Sequence, residues 1–264
     1  MTGPRIATLH RYPVKGLSPE AVSSLALTRG GYVPGDRLYA IENGPSGFEA
    51  ADPRHQPKIK FLMLMRNERL ATLRSRYLDE ATTLVIVQGR EERVRADLSS
   101  QEGREAVRRF FESFMPSELR GTPRVLEAPD GFRFTDSRSG YVSLLNLASV
   151  ATLEARIGAP VDPLRFRANV AIEGLPAWEE FDWVGQRVRI GPEAVLKVTK
   201  RIVRCAATEV DPTTGMRDMD VVRTLDRAFD HSDCGVYAEV ATPGTIRPGD
   251  GIEVLGESQP SLPL

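Results

Sequence analysis

Cys205 is the residue whose type and setting most clearly offer chemistry. It lies in TKRIVRCAATEVDPTTG, residues 199–215, close in sequence to Lys197, Lys200, Arg201 and Arg204. A nearby cation stabilises thiolate over thiol, and the thiolate is the form that attacks electrophiles or ligates a soft metal. Upstream, Arg165-Phe166-Arg167 opens the segment RFRAN, residues 165–169. In an extended segment these two arginines project to one side, a geometry suited to a carboxylate or another oxyanion. A soft-metal ligand beside an anion site is what a phosphorylated metal cofactor needs. The same residue types also have plainer uses. A lone cysteine on an apolar strand is ordinarily an inert small hydrophobe, and basic clusters are ordinarily solvated faces.

Other chemistries find little support. His10, His55 and His231 are isolated and lack the paired spacing of a zinc site. There is no glycine-rich phosphate loop and no nucleophile elbow, and no pyridoxal phosphate binding is expected. Cys234, in HSDCGVY, stands beside Asp230 and Asp233, which discourage a thiolate, so a structural role is expected. A net charge of −1 over 264 residues argues against a general nucleic-acid or anionic-membrane binder. No apolar run approaches membrane-spanning length; FLMLM at 61–65 is the densest patch. The start MTGPRIATLHRYP lacks a secretory pattern, and two cysteines suit a reducing compartment. A cytoplasmic protein is expected.

The elements that must position these residues are mostly strands. Segments 5–12, 22–27, 37–41, 70–73 and 83–87 are short, β-branched or aromatic, and separated by Gly and Pro breaks. Residues 61–65 read equally as helix or strand. A helix is predicted over 101–115, where Ala106, Val107, Phe110, Phe111 and Phe114 recur at helical spacing, with Asp97, Ser99 or Ser100 as cap and Pro116 as stop. The Pro- and Gly-bearing stretch 116–130 reads as a linker and carries the predicted domain boundary, giving units 1–120 and 121–264. A second helix is predicted over 147–157, with Asn146 as cap. Strands follow at 170–172, 187–190 and 195–203, then a turn at 211–215 and a short helix at 221–229. Strands at 236–241 and 252–255 finish a β-rich α+β chain with a few covering helices.

Several motifs, in order, resemble the MOSC domain, named from the C-terminal domain of molybdenum-cofactor sulfurases. They are LLNLASVATLEARIG (144–158), DPLRFRANVAIEG (162–174), WVGQRVRIG (183–191), RCAATEVDPTTG (204–215) and GTIRPGDGIEV (244–254). LHRYPVKGLSPE (9–20) and GDRLYAI (35–41) resemble the small β-barrel domain that precedes MOSC in some members. The resemblance implies a small amino-terminal barrel packed on a MOSC-type barrel. It also implies binding of molybdenum cofactor, a pyranopterin with a dithiolene-held metal and a phosphate tail. Cys205 is the implied metal ligand. Lys15, Arg37, Arg167 and Asn169 are the implied holders of phosphate and pterin, with Asn146 as a further contact. Thr208, after Cys205, is a candidate cofactor contact, and Asp211, six positions after the ligand, is a candidate to relay a proton or orient solvent near the metal. Thr208 also suits a plain strand position, and Asp211 a plain turn start. Two positions depart from the pattern: Gly16 replaces a serine common after the lysine, and Ala168 replaces a proline in the arginine–asparagine motif.

The two-domain order resembles the amidoxime-reducing components and bacterial relatives, which implies an oxidoreductase that reduces N-hydroxylated compounds to N–H. No cysteines are spaced for an iron–sulfur cluster, so an external donor, a flavoprotein or an iron–sulfur protein, is the expected partner. The alternative is a cofactor carrier or sulfur-transfer module in which Cys205 acts without turnover of its own.

Overall fold

A computed structural model describes residues 3–138 and 141–257. Its largest sheet has, in spatial order, strands Ile252–Glu257, Gln186–Ile190, Ala194–Val203, Asp233–Thr242, Val142–Asn146, Val170–Glu173, Arg5–Arg11 and Glu20–Ala21. Alternation builds its inner face: Leu196 lies opposite Val240 and Val198 opposite Ala238, all buried, while Lys197 between them is exposed. The ends of the sheet meet. Arg5 bridges Gly251, the Ile6 amide donates to Asp250 O at 2.9 Å, and the Ile252 amide donates to Pro4 O at 2.8 Å. The sheet thus curls into a ring around Ile6, Leu9, Leu144, Ile172, Val188 and Val236. Closure leaves the end strands fewer unpaired edges.

One pair in this sheet is parallel, Val142–Asn146 with Val170–Glu173. A parallel pair needs a crossover. The α-helices of the described residues are α1, Gln101–Phe114, α2, Leu147–Ile157, and α3, Val221–Phe229. Helix α2 makes the crossover. It starts where Asn146 Oδ1 accepts from the Ala148 amide at 3.0 Å and stops at Gly158, φ 79°.

A second core gathers the amino-terminal half. Strands Leu73–Leu78, Thr83–Gln88 and Glu91–Asp97 form an antiparallel meander. Val107, Phe110 and Phe111 of α1 pack against it, with Ser100 as the cap. Tyr39–Glu42 pairs with Arg124–Glu127, so the stretch expected as a linker returns to the first half as a strand. Conversely, Arg5–Arg11 joins the large sheet and Leu25–Leu27 pairs with Gly244–Ile246. The halves are therefore stitched by exchanged strands as well as by side-chain packing.

Three local expectations change. Residues 68–72 form a 3-10 turn ahead of strand Leu73–Leu78 rather than a strand. The 61–65 patch is neither helix nor strand: Phe61 bridges Glu42, and Leu62 donates its amide to Ile41 O at 2.8 Å. Strands Glu20–Ala21, Glu91–Asp97, Arg124–Glu127, Val142–Asn146 and Gly244–Ile246 are additional. Glu91–Asp97 is masked in the sequence by charge, since only Val94 and Ala96 point inward; Val142–Asn146 is buried throughout and so shows no alternation. Among the described residues no helix is long and apolar enough to cross a membrane.

Candidate cofactor site

A cavity of ≈ 380 Å³ opens between the two halves. Lys15, Arg37 and Lys58 reach it from the first half; Arg165, Arg167, Lys200, Arg201, Arg204 and Cys205 reach it from the second. Among the described residues, Asp136 is the one carboxylate in that lining. Eight cations against one anion leave a strongly positive, partly enclosed space, which favours an anionic ligand. Met63, Leu64, Met65, Ile202 and Val203 supply an apolar stretch of the same wall.

Cys205 is half-buried and unpaired, at the end of strand Ala194–Val203 and the start of the 3-10 turn Ala206–Glu209. Its carbonyl accepts from both the amide and the hydroxyl of Thr208, each at 3.0 Å, so Thr208 fixes the turn that carries the sulfur. The Lys58 side chain lies close enough to Cys205 for the two to interact electrostatically, and both line the cavity. Burial lowers the Lys58 pKa, but the nearby Cys205 and Asp136 outweigh it and the net direction is up. Lys58 thus brings positive charge to the sulfur from the opposite half of the molecule.

Lys15 is buried and donates to Phe134 O at 2.9 Å and to Asp136 Oδ1. Burial pulls its pKa below the usual lysine value, against the attraction of Asp136. Gly16 follows at φ 83°, where a Cβ would stand 2.8 Å from Leu62 O. A serine there would meet both the backbone strain and that carbonyl, which gives the departure at this position a steric reason.

Arg37 donates to Asp36 Oδ2 and, at 3.2 Å, to Arg167 O. Arg167 donates to Leu17 O at 2.8 Å. Burial pushes the Arg167 guanidinium down to about 10, and the like charge of Arg37 adds to the shift. Asn169 also lines the cavity, but its side chain is spent on the frame. Its Oδ1 accepts from the Ser143 hydroxyl at 2.8 Å, and its Nδ2 donates to His10 O and Asp36 Oδ1, each at 3.2 Å.

Three expectations about site residues meet a different geometry. Arg165 and Arg167 do not share one extended face: Pro163–Phe166 is a 3-10 turn and Arg167 takes φ 52°. Arg165 instead ion-pairs with Asp218 at 2.8 Å and Asp211 at 3.2 Å. Asn146 is fully buried away from the cavity lining; it caps α2 and donates to Pro176 O at 2.7 Å and Glu180 Oε2 at 2.9 Å. Asp211 is likewise absent from that lining. It starts its turn by accepting from the amides of Thr213 at 3.0 Å and Thr214 at 2.7 Å, so its oxygens are committed. Cys234 is buried with its thiol pushed up to about 12 by burial, consistent with a structural role. His231 sits among Trp178, Phe181 and Phe229, and no group of metal-ligating side chains occurs among the described residues. Lys58, Asp136, Asp36 and Tyr12 were not singled out as site residues from the sequence. Lys58 in HQPKIK carries no local signal, because only the fold brings it to Cys205.

Family models fit both halves. Residues 3–118 match the MOSC N-terminal beta barrel domain, and residues 132–253 match the MOSC domain. The chain carries both domains of the MOSC family. Among curated proteins it is similar to mitochondrial amidoxime-reducing component 1 of Mus musculus, at 28% identity over 96% of this chain and 82% of that protein. It is also similar to the Homo sapiens component 1, at 27% identity over 96% of this chain and 83% of that protein. Among solved structures, the YUAD protein from Bacillus subtilis aligns at TM-score 0.48 and 16% identity over 97% of each chain.

Proposed function

We propose that this MOSC protein binds molybdenum cofactor in the cavity between its halves and reduces N-hydroxylated compounds with electrons from a separate donor. The observation that carries this reading is the convergence of the Cys205 sulfur with Lys15, Arg37 and Arg167 on one cavity, from distant parts of the chain. The donor set fits the group: a thiol for a soft metal, and fixed cations for a phosphate tail. The names of the similar amidoxime-reducing components support the substrate class.

Cys205 would ligate the metal, and Arg37, Arg167 and Lys15 would hold the phosphate and pterin. The bound group would supply two-electron chemistry that, with two electrons from the donor and two protons from solvent, converts an N–OH group to N–H and water. This chain's residues bind, orient and screen. Lys58 keeps positive charge near the sulfur, Thr208 holds the turn beneath it, and the two halves partly enclose it. Asn169 acts through the frame, by linking Ser143, His10 and Asp36 under the arginines. The electron donor is a flavoprotein or an iron–sulfur protein, and the setting is the cytoplasm, where both thiols stay reduced. The functional units divide near residues 120–121, with Arg5–Arg11 reaching across.

The test is metal and pterin content per chain after expression in a host that makes the cofactor. Cys205→Ser is expected to lose molybdenum, and metal unchanged by that substitution rejects the ligand assignment. Loaded protein is then given a chemical reductant and a series of amidoximes and hydroxylamines. Amidine from the amidoximes and amine from the hydroxylamines are expected; loaded protein that turns over none of them rejects the reductase in favour of a carrier.

A further inference from the structure

Two cations of the cavity share one aromatic ring. The guanidinium carbon of Arg37 lies 4.5 Å from the centroid of Tyr12, and that of Arg167 lies 4.3 Å from it. Tyr12 is fully buried, and its backbone and ring hydroxyl are both anchored. Its amide donates to Asp36 Oδ1 at 2.7 Å, its carbonyl accepts from the Arg37 amide at 2.8 Å, and its hydroxyl donates to Ala168 O at 3.2 Å. Each of those bonds ends on an arginine of the pair or on its immediate neighbour in the chain. The anchoring therefore sets the ring relative to both guanidiniums.

The arginines themselves are placed at a cost. Both take left-handed backbone, φ 47° at Arg37 and 52° at Arg167, a region that bulky residues avoid. Two partly buried like charges also repel. Arg37 has Asp36 as a partner, but among the described residues no carboxylate comes within 4.0 Å of the Arg167 guanidinium. Packing alone would be served better by an apolar side chain at that position. The negative face of an aromatic ring attracts guanidinium groups without consuming their N–H donors. A cation held in that way keeps donors available for an incoming anion, whereas one held by a carboxylate does not.

We propose that Tyr12 is a positioning residue whose ring holds Arg37 and Arg167 as a paired clamp for one phosphate monoester group. The proposal rests on the reading of this cavity as the anion-binding end of a cofactor site. Two fixed guanidiniums match the charge of a phosphate monoester dianion, and their planar forks suit its oxygens.

The experiment uses the cofactor-free full chain, titrated with inorganic phosphate by calorimetry. Position 12 is varied with Tyr12→Phe, with Tyr12→Leu, and with phenylalanines bearing one, two or three ring fluorines. Fluorine drains charge from the ring face while nearly preserving its shape. Phosphate affinity is expected to stay within about threefold in Tyr12→Phe and to weaken stepwise with fluorination, by about tenfold at three fluorines. Melting temperature without phosphate is expected to show no matching trend. The loss in Tyr12→Leu is expected to be at least as large as with three fluorines. A flat affinity across the fluorine series overturns the clamp, whether or not Tyr12→Leu folds. Arg167→Ala separates the two levels of the argument. If it still binds phosphate normally, the anion-site reading fails and the clamp falls with it. If it abolishes binding while the fluorine series is flat, only the clamp fails.

Discussion

Removing the Asp36 carboxylate should damage the protein more than its single side chain suggests. Asp36 is buried, at 4% side-chain exposure, and its two oxygens have distinct duties. Oδ1 accepts from the Tyr12 amide at 2.7 Å and the Asn169 Nδ2 at 3.2 Å, while Oδ2 accepts from Arg37. Asp36→Ala leaves a guanidinium with only 16% side-chain exposure without its partner, a loss of about 3 kcal/mol, at the lower end for a broken buried pair. For a chain of this size each kcal/mol moves the midpoint by roughly 2–4 °C, so a fall on the order of 10 °C is expected. Asp36→Asn retains an oxygen for Tyr12 and Asn169 but turns an NH₂ towards Arg37. It should therefore cost less than the alanine variant, by about 1–3 kcal/mol for the two hydrogen bonds kept. The assay is equilibrium urea unfolding with comparison of slopes, which should match if only the native state has changed. Arg37→Met in the Asp36→Ala background removes the orphaned cation and should restore part of the loss. A cost below about 1 kcal/mol for Asp36→Ala, or no recovery with Arg37→Met, would refute the view that this pair is a buried, mutually dependent unit.

Native protein treated with iodoacetamide at pH 8 should alkylate Cys205 and spare Cys234. With the Cys234 thiol pushed up to about 12, its thiolate fraction at that pH is on the order of one in ten thousand; equal labelling of both under native conditions would contradict the burial. The Asp136 carboxyl is held down to about 2 because Lys15 and its hydrogen bond override the effect of burial. Its ordinary value is 3.8, so its stabilising contribution is complete above that pH and is lost as pH falls towards 2. Asp136→Asn should flatten the acid limb of stability between pH 4 and 2 by about 1 kcal/mol, a figure kept small because half the side chain is exposed. Urea midpoints at several pH values check this. Asn146→Ala should lower stability by about 2–4 kcal/mol through loss of the α2 cap and of a partner for Glu180. Metal per folded chain should not change, since Asn146 does not line the cavity; a selective loss of metal would return it to the site.

What could be read directly from the chain was local chemistry with strong periodicity or punctuation. Helix α1 shows its apolar stripe from Ala106 to Phe114, and α3 runs over the predicted residues 221–229. The ordered motifs around Cys205, Arg167 and Lys15 also pointed to the family before any fold was known. Short-range pattern was weaker where charge covered one face, as in Glu91–Asp97, or where burial on both faces erased alternation, as in Val142–Asn146.

The amino-acid sequence by itself determined which residue types were available: one cysteine with basic neighbours, an arginine–asparagine segment, and a lysine after Tyr12-Pro13-Val14. Tertiary structure decided which of them face one another. Arg165 lines the cavity but pairs with Asp211, which does not; Asn146 was spent on a helix start, and Lys58 came from the other half to the neighbourhood of the sulfur. The physical reason is that a hydrogen bond or ion pair is set by distances of about 3 Å, and closing the sheet and exchanging strands between halves sets those distances among residues far apart in the chain.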